Sequence, residues 1–202
     1  MTKFTGYILT GGKSSRMGED KAFLKLGEKT FIETAAAALE PNCAAVKAVI
    51  NKNQDNFIKK LPDGVSHIFD VYENRGALGG IHAALKDCKT AFAVILAVDL
   101  PFVTNEAIAK LCEITDASNR YIACVPRQSD DNPQPLCAAY RANYCLPALE
   151  KLLDENDFAS VRDFLDIIFP RYISADRLSA SENLLHNVNR PSDYENLTDG
   201  IK

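Results

Sequence analysis

The sequence has no C-x-x-C pair and only three histidines, although six of its 202 residues are cysteines. The cysteines are Cys43, Cys88, Cys112, Cys124, Cys137 and Cys145, and the histidines are His67, His82 and His186. Because the cysteine spacing matches no zinc or redox motif, we interpret all six thiols as packing residues. The histidines lie far apart in the chain and are predicted to be structural.

Long apolar runs and an excess of positive charge are missing as well. The longest apolar stretch, Phe92 to Val98, is too short to span a bilayer, and the first six residues lack the apolar core of a signal peptide. The net charge of -4 and a pI near 5.4 disfavour nucleic acid as the main partner, because phosphate-backbone binders carry a basic surface. We therefore expect a cytoplasmic protein with no membrane and no nucleic-acid partner.

Strand-like and helix-like segments alternate along the chain, which is 47% hydrophobic and has no long linker. The predicted strands are Thr5–Leu9, Val46–Asn51, Ser66–Asp70, Ala91–Val98, Tyr121–Val125, Leu136–Tyr140 and Arg171–Ser174. The predicted helices are Phe31–Leu39, Gln54–Leu61, Ile81–Lys86, Asn105–Cys112, Tyr144–Leu153 and Ser160–Leu165, with a closing helix after Pro191. This order predicts one α/β domain over residues 1–202, with a mostly parallel sheet covered on both faces. The second half is expected to form a lobe over the sheet edge.

Three glycines and three cations follow the apolar run Tyr7-Ile8-Leu9 within eleven residues. They are Gly11, Gly12, Lys13, Arg16, Gly18 and Lys21. Such a loop is suited to phosphate, because glycines allow close backbone approach and the cations attract phosphate oxygens. The pattern is neither a P-loop, whose first glycine would stand at Tyr7, nor the dinucleotide G-x-G-x-x-G. The alternative is an ordinary loop in which Glu19 and Asp20 pair with the cations.

Polar residues end several of the predicted strands, where ligands bind in open α/β sheets. Asp99 follows a buried strand and precedes Leu100-Pro101, so its carboxylate is expected to face the crevice as a Mg2+ ligand. The alternative for Asp99 is a helix cap. Asn51 and Asp70 are candidates for reading a nucleobase, or else ordinary turn residues. The backbone amides of the segment Arg75–Gly80 either receive an anion or shape a wall beside the base; the alternative is a structural glycine-rich turn before a helix.

Together these features resemble the molybdenum cofactor guanylyltransferase family. The resemblance begins with the run from Leu9 to Lys21, which matches the family signature L-A-G-G-x-S-x-R-M-G-x-D-K except at Thr10. It continues through Gly76–Ile81, Asp99–Val103, Pro135–Ala138 with Tyr140, Ser160–Leu165 and the terminal Asn187-Val188-Asn189-Arg190-Pro191. Two positions depart from the family pattern, since His186 stands for an aromatic residue and Arg190 for threonine.

The resemblance implies a Rossmann-like, three-layer αβα fold of the nucleotide-diphospho-sugar transferase type. It also implies transfer of GMP from GTP to the phosphate of molybdopterin, with release of pyrophosphate and with Mg2+ as cofactor. Residues up to about 125 would then bind the nucleotide, and residues from about 126 the pterin. Transient contacts with other cofactor-biosynthesis proteins are a further expectation.

Roles carry over to individual positions of this sequence. The implied catalytic residues are Arg16, Lys21 and Asp99, with Asp99 also the metal ligand. The implied nucleotide-binding residues are Leu9, Thr10, Gly11, Gly12, Lys13, Arg16, Lys21, Asn51, Asp70, Gly79 and Asp99. The implied pterin-binding residues are Asn187, Asn189 and Arg162, although Arg162 is also interpreted as pairing with a nearby aspartate on a helix surface.

Two other functions remain open from the sequence. A cytidylyltransferase for the same cofactor, or a sugar-phosphate nucleotidylyltransferase, would use the same chemistry; cytidylyl relatives tend to carry alanine where Gly11 stands here. A non-catalytic nucleotide-binding module is the second alternative. The presence of Arg16, Lys21 and Asp99 together argues against it.

Overall fold

The computed structural model describes residues 3–11, 20–52, 55–72, 74–117, 120–128 and 131–188. Within these residues the chain forms a seven-stranded sheet in the order β5-β4-β1-β6-β8-β7-β9, and a two-stranded hairpin of β2 (Lys25–Leu26) and β3 (Lys29–Thr30). The strands of the large sheet are β1 (Phe4–Leu9), β4 (Val46–Ile50), β5 (Val65–Phe69), β6 (Phe92–Ala97), β7 (Ala123–Arg127), β8 (Cys137–Arg141) and β9 (Arg171–Ser174).

Six of these seven strands point the same way. Strands β5, β4, β1 and β6 pair in parallel, β8 is antiparallel to both of its neighbours, and β9 is parallel to β7. The carboxyl ends of all strands except β8 therefore meet at one edge of the sheet, which we call the carboxyl edge. This is the edge where ligands bind in open α/β folds.

Helices cover both faces of the sheet. They are α1 (Phe31–Leu39), α2 (Asp55–Ile58), α3 (Ala77–Asp87), α4 (Asn105–Asp116), α5 (Ala142–Glu155) and α6 (Val161–Ile168). One core cluster contains side chains of α1 and α4, and the other contains side chains of α3, α5 and α6. All six residues of β1 and of β6 are buried, as expected for central strands covered on two faces. The predicted three-layer αβα architecture is thus confirmed.

Local sequence signals account for several element boundaries. Helix α1 begins at a capping box, in which Thr30 accepts a hydrogen bond from the Glu33 N–H and the Glu33 carboxylate accepts one from the Thr30 N–H. Ser160 and Asp163 form a second capping box at α6. Thr104 caps α4 by accepting a hydrogen bond from the Ala107 N–H.

Two sequence predictions about the fold were wrong. Helix α3 begins at Ala77 rather than Ile81, because Gly79 and Gly80 lie inside the helix, where their lack of a Cβ allows close packing. The second half does not form a lobe over the sheet edge, since β8 pairs with β6 and extends the same sheet through β7 to β9. Among the described helices, none has the length and apolar character needed to cross a bilayer. The closing helix predicted after Pro191 lies outside the described residues.

Candidate active site

The central feature of the carboxyl edge is an ion pair between Lys21 and Asp99. The Lys21 Nζ lies 3.3 Å from Asp99 Oδ2, and the side chains are 14% and 22% exposed. The other carboxylate oxygen, Oδ1, is buried and has no hydrogen-bond partner among the residues that the structure describes. A buried carboxylate oxygen without a partner is costly in the absence of a ligand. This atom is therefore the strongest indication of a binding site among the described residues.

Asp99 is placed by the end of β6. The turn after the strand is closed by a hydrogen bond of 3.2 Å from the Leu100 N–H to the Ala97 carbonyl, and Leu100 is buried. The Asp99 carbonyl accepts a hydrogen bond of 3.0 Å from the Val188 N–H. Asp99 is thus fixed through its backbone, while its side chain is left to the site. Thr104 caps the next helix, so the alternative of Asp99 as a helix cap was wrong.

Lys21 begins a short 3-10 helix, Lys21–Phe23, that follows the glycine-rich loop. Asp20 caps this helix by accepting a hydrogen bond of 3.1 Å from the Ala22 N–H, and Ala22 is fully buried. The Phe23 ring packs on Phe57, with ring centroids 4.7 Å apart. These contacts hold the backbone of Lys21, so that its long side chain reaches Asp99 across the carboxyl edge.

The three residues at the end of β1 line the same edge. Thr10, the one departure from the family signature, is buried, and its hydroxyl donates a hydrogen bond of 2.7 Å to the Val49 carbonyl. The hydroxyl is satisfied inside the sheet, so threonine fits where the signature has alanine. Leu9 is buried and its side chain would contact a Cβ at Gly80 at 3.2 Å. A Cβ at Gly11 would meet no atom of the described residues within 4 Å.

Asp70 lies against the first turn of α3. A Cβ built at Gly79 would stand 2.6 Å from one Asp70 carboxylate oxygen and 2.7 Å from the other, so only glycine fits there without movement. The Tyr72 N–H donates a hydrogen bond of 2.8 Å to Asp70 Oδ1. Burial raises the pKa of Asp70, while that hydrogen bond and the nearby His82 oppose the rise. Two predicted nucleotide-binding residues, Asp70 and Gly79, are therefore in direct contact.

Asn51 and Arg75, two further candidates, lie in different surroundings: the first is exposed to solvent and the second contacts the end of a helix. Asn51 is exposed at the end of β4, on the carboxyl edge. Arg75, predicted to border an anion site, instead caps the end of α5: its guanidinium donates hydrogen bonds to the carbonyls of Leu153, Asn156 and Asp157. It also pairs with the Asp157 carboxylate at 2.7 Å. A cation at a helix C-terminus stabilises the helix, so Arg75 is a structural residue.

The chain returns to the carboxyl edge near its end. Leu184, Leu185 and Val188 are buried in the core beside α1 and α4, whereas Asn187 is partly exposed between them. The Asn187 Oδ1 accepts a hydrogen bond of 3.0 Å from Gln134 Nε2. Sequence reasoning missed Gln134, whose only signal was its position before Pro135 and Leu136.

The remaining predicted residues fall in two groups. Arg162 is exposed in the first turn of α6, whose short connection to β9 places this turn at the carboxyl edge. Among the described residues it forms no ion pair, so the predicted pairing with a nearby aspartate is not found. Gly12, Lys13, Arg16 and Asn189 lie outside the described residues.

The cysteine thiols form no disulfide, and in the described residues they belong to no metal-binding group. Burial raises the pKa of Cys43, Cys112, Cys137 and Cys145 to about 12, so these thiols stay protonated at neutral pH. All six cysteines are free, and no group of three or more His, Cys, Asp or Glu side chains suited to a metal is found in the part of the chain that the structure describes. Cys112, Cys124, Cys137 and Cys145 are buried, while Cys43 and Cys88 are partly buried and pack against the two core clusters. The prediction that the cysteines are packing residues is therefore confirmed.

Comparisons with known proteins agree with this geometry. The profile of the MobA-like NTP transferase domain matches residues 6–172, which is most of the chain. The chain belongs to this family. A probable molybdenum cofactor guanylyltransferase of Pelotomaculum thermopropionicum is 35% identical over 198 residues, covering 96% of this chain and 91% of that protein. The chain is therefore a nucleotidyltransferase by family.

Solved structures share the fold. Molybdopterin-guanine dinucleotide biosynthesis protein A of Archaeoglobus fulgidus superimposes with a TM-score of 0.80 at 24% identity, covering 98% of both chains. The 2-C-methyl-D-erythritol 4-phosphate cytidylyltransferase of Thermus thermophilus superimposes with a TM-score of 0.67 at 13% identity, covering 96% of this chain and 97% of that one. Since the second of these proteins is named for cytidylyl transfer, the shared fold does not by itself select the nucleobase.

Proposed function

We propose that this protein transfers GMP from GTP to the terminal phosphate of molybdopterin, forming the guanine dinucleotide cofactor and pyrophosphate. The observation that carries the proposal is the carboxylate of Asp99: one oxygen pairs with Lys21, and the other is buried without a hydrogen-bond partner in the described part of the chain. Similarity to proteins named molybdenum cofactor guanylyltransferases along nearly the full chain supports the choice of substrates.

The residues present fit a magnesium ion. Mg2+ is held in proteins by one or two carboxylates together with waters and substrate phosphates, so a single acid such as Asp99 is a sufficient protein ligand. The buried Oδ1 of Asp99 supplies the hard oxygen donor that this metal prefers. When bound there, Mg2+ would neutralise negative charge on the phosphates of GTP. In the described part of the chain Asp99 belongs to no group of three or more His, Cys, Asp or Glu side chains suited to a metal.

The reaction needs positioning and charge more than acid–base chemistry. A phosphate oxygen of molybdopterin attacks the α-phosphorus of GTP, the new P–O bond forms, and the bond to the β-phosphate oxygen breaks, so that pyrophosphate leaves. The nucleophile is already an anion, and no proton has to be removed. Lys21 and, by family resemblance, Arg16 would hold the triphosphate and stabilise the departing pyrophosphate. Leu9, Thr10 and Gly11 would contribute backbone contacts, with Gly12 and Lys13 beside them.

Guanine recognition is proposed for the Asp70 side of the site. Guanine presents N–H donors on its pairing edge that a carboxylate accepts, whereas adenine presents an unprotonated ring nitrogen there. Gly79 allows the Asp70 carboxylate to lie against α3, and the Tyr72 N–H holds one of its oxygens. Asn51, at the end of the neighbouring strand, would contact the base or the ribose.

Pterin recognition is proposed for the opposite side of β6. Asn187 lies one residue before the Val188 N–H that binds the Asp99 carbonyl, so this segment runs beside the metal ligand. Its neutral amide is suited to the amide-like edge of a pterin or to its phosphate, as is Asn189 by resemblance. Arg162 would bind the phosphate from α6. The cytoplasmic location and contacts with other cofactor-biosynthesis proteins stay predictions.

The test is a pyrophosphate-release assay with molybdopterin and a panel of GTP, CTP and ATP. The expected result is release with GTP that requires molybdopterin, disappears with EDTA and returns with Mg2+. Release with CTP in preference to GTP would indicate a cytidylyltransferase instead. Nucleotide binding without release of pyrophosphate in any combination would overturn the enzymatic proposal.

A further inference from the structure

Three hydrogen bonds fasten the segment from Leu184 to Val188 to the carboxyl edge. Gln128 Nε2 donates to the Leu185 carbonyl at 2.7 Å, the Val188 N–H donates to the Asp99 carbonyl at 3.0 Å, and Gln134 Nε2 donates to Asn187 Oδ1 at 3.0 Å. The first two hold the backbone. Only the third holds a side chain, that of the partly exposed Asn187.

Gln134 is itself held firmly. Its N–H donates to the Pro126 carbonyl at 2.8 Å, and its own carbonyl accepts a hydrogen bond from the Cys137 N–H at 3.2 Å. The backbone of Gln134 is therefore fixed between β7 and β8 before its side chain reaches Asn187. From this position Gln134 Nε2 donates to Asn187, and a donor can engage only the oxygen of that amide.

The engaged end is the oxygen of Asn187, so the amide nitrogen is left for another partner. Asn187 is partly exposed, and within the described ranges its Nδ2 group has no hydrogen-bond partner. We infer that Gln134 is a positioning residue that turns the Asn187 N–H2 group toward the second substrate. The group recognised there is then a hydrogen-bond acceptor oxygen. This inference rests on the proposed function, because it assigns Asn187 to the substrate that receives GMP.

Two sources could supply that oxygen in molybdopterin: its phosphate and the carbonyl of its pterin ring. Both present lone pairs to an N–H donor, so the shared chemistry is an acceptor oxygen. Binding of 6-hydroxymethylpterin, which has the ring but no phosphate, separates them. Its affinity falls in an Asn187 variant if the ring carbonyl is the contact, and stays unchanged if the phosphate is.

Kinetics of Gln134→Glu provide the main test. A carboxylate at position 134 can only accept hydrogen bonds, so the Asn187 amide must turn its N–H2 group toward it. The Asn187 oxygen then faces the acceptor oxygen of the substrate. We expect KM for molybdopterin to rise about tenfold or more, with KM for GTP unchanged. Asn187→Asp should act in the same direction, because it keeps the bond to Gln134 and loses the donor. Gln134→Met, which only frees the amide, should raise KM by a smaller factor.

A double-mutant cycle distinguishes positioning from general loosening of the segment. In an Asn187→Ala background, Gln134→Glu should not raise KM for molybdopterin any further, because its effect passes through the missing Asn187 side chain. Gln128→Glu is the matched control, since it opposes the Leu185 carbonyl without touching Asn187. The inference would be overturned if the effects of the two substitutions on molybdopterin KM were additive in the cycle. It would also be overturned if Gln128→Glu raised molybdopterin KM as much as Gln134→Glu does.

Amide hydrogen exchange measured by NMR tests the orientation without any turnover. In the wild-type protein the side-chain amide protons of Gln134 should be protected and those of Asn187 exposed, and Gln134→Glu should protect those of Asn187. The reverse pattern in the wild type would refute the assigned orientation. A wild-type protein with the expected exchange pattern but no guanylyl transfer would refute the proposed function alone.

Discussion

On the β1 side of β6, charged side chains make up the candidate site, whereas on the β8 side neutral amides hold the segment Leu184–Val188 in place. Lys21 and Asp99 face each other across the carboxyl edge, and Asp70 lies against Gly79. On the other side Gln128 and Gln134 donate to Leu185 and Asn187, respectively. The difference follows from topology.

In the parallel half, every strand ends at the carboxyl edge, so a residue just after a strand is delivered to the site directly. In the other half, β8 runs the opposite way and brings its start, rather than its end, to that edge. The segment Leu184–Val188 is therefore not placed by a strand end and is held at this edge by hydrogen bonds from Gln128 and Gln134 and to the Asp99 carbonyl. We expect substitutions in the first half to change the chemical step and those in the second half to change binding of the acceptor.

The largest effect is expected for Asp99→Asn. This change keeps the shape and the backbone bond to Val188 but removes the charge that pairs with Lys21. We expect kcat/KM to fall by about 10² to 10³, because charge stabilisation at a phosphoryl-transfer site carries effects of that size. Pyrophosphate release measures it, and a loss of less than threefold with unchanged Mg2+ dependence would contradict the metal assignment.

Lys21→Met should reduce turnover by about 10², since it removes a cation next to the leaving phosphates. Lys47→Met is the matched control: Lys47 also pairs with an aspartate, Asp87, at 2.7 Å, but that pair joins β4 to the far end of α3. Circular dichroism should show both variants folded, and the release assay should find full activity only for Lys47→Met. Equal activities would remove Lys21 from the catalytic set.

Gly79→Ala should lower the free energy of unfolding by about 1 to 3 kcal/mol, because its Cβ would overlap the Asp70 carboxylate and force a shift. It should also weaken the preference for GTP over ATP. Gly11→Ala is the comparison, since a Cβ there meets no atom of the described residues and stability should not change. Urea denaturation checks both variants, and equal stabilities would contradict the described contact.

Asp70→Asn should raise the thermal midpoint at pH 7. Burial raises the pKa of Asp70 in the folded state, so the stability linked to its protonated form is present below its unfolded pKa and lost as pH rises through the folded pKa. Asparagine has no charge to bury, and its oxygen can still accept from the Tyr72 N–H. The advantage should shrink as pH falls toward 3.8, the ordinary pKa of the group. Thermal melts at pH 7 and pH 4 give the comparison, and a lower midpoint at pH 7 would contradict it.

Arg75→Met should leave activity intact and lower the free energy of unfolding by about 1 to 2 kcal/mol, because it removes the cation at the C-terminus of α5. Enzyme assay and urea denaturation together check this prediction. A rise in KM for GTP with unchanged stability would return Arg75 to the nucleotide site.

The outline of the fold was predictable because buried strands and capping boxes are local signals. Helix α1 and strand β9 have the predicted bounds, and strands β1, β4, β5 and β6 lie within one residue of theirs at both ends. The position of Asp99 followed from the same signals, since it stands just beyond an apolar run that stops at a proline. The beginning of α3 was missed because glycine is a poor helix former, and only its packing against Asp70 explains the helix there.

The sequence by itself determined which residues end strands on the parallel side, because strand ends are marked by where an apolar run stops. It also determined the family, through a motif whose residues are consecutive. Only the tertiary structure decided that Lys21 reaches Asp99, that Arg75 belongs to α5 rather than to a ligand, and that Gln134 engages the oxygen of Asn187. These contacts join residues more than fifty positions apart, and no local preference specifies them; they arise when the sheet brings distant strand ends to one edge.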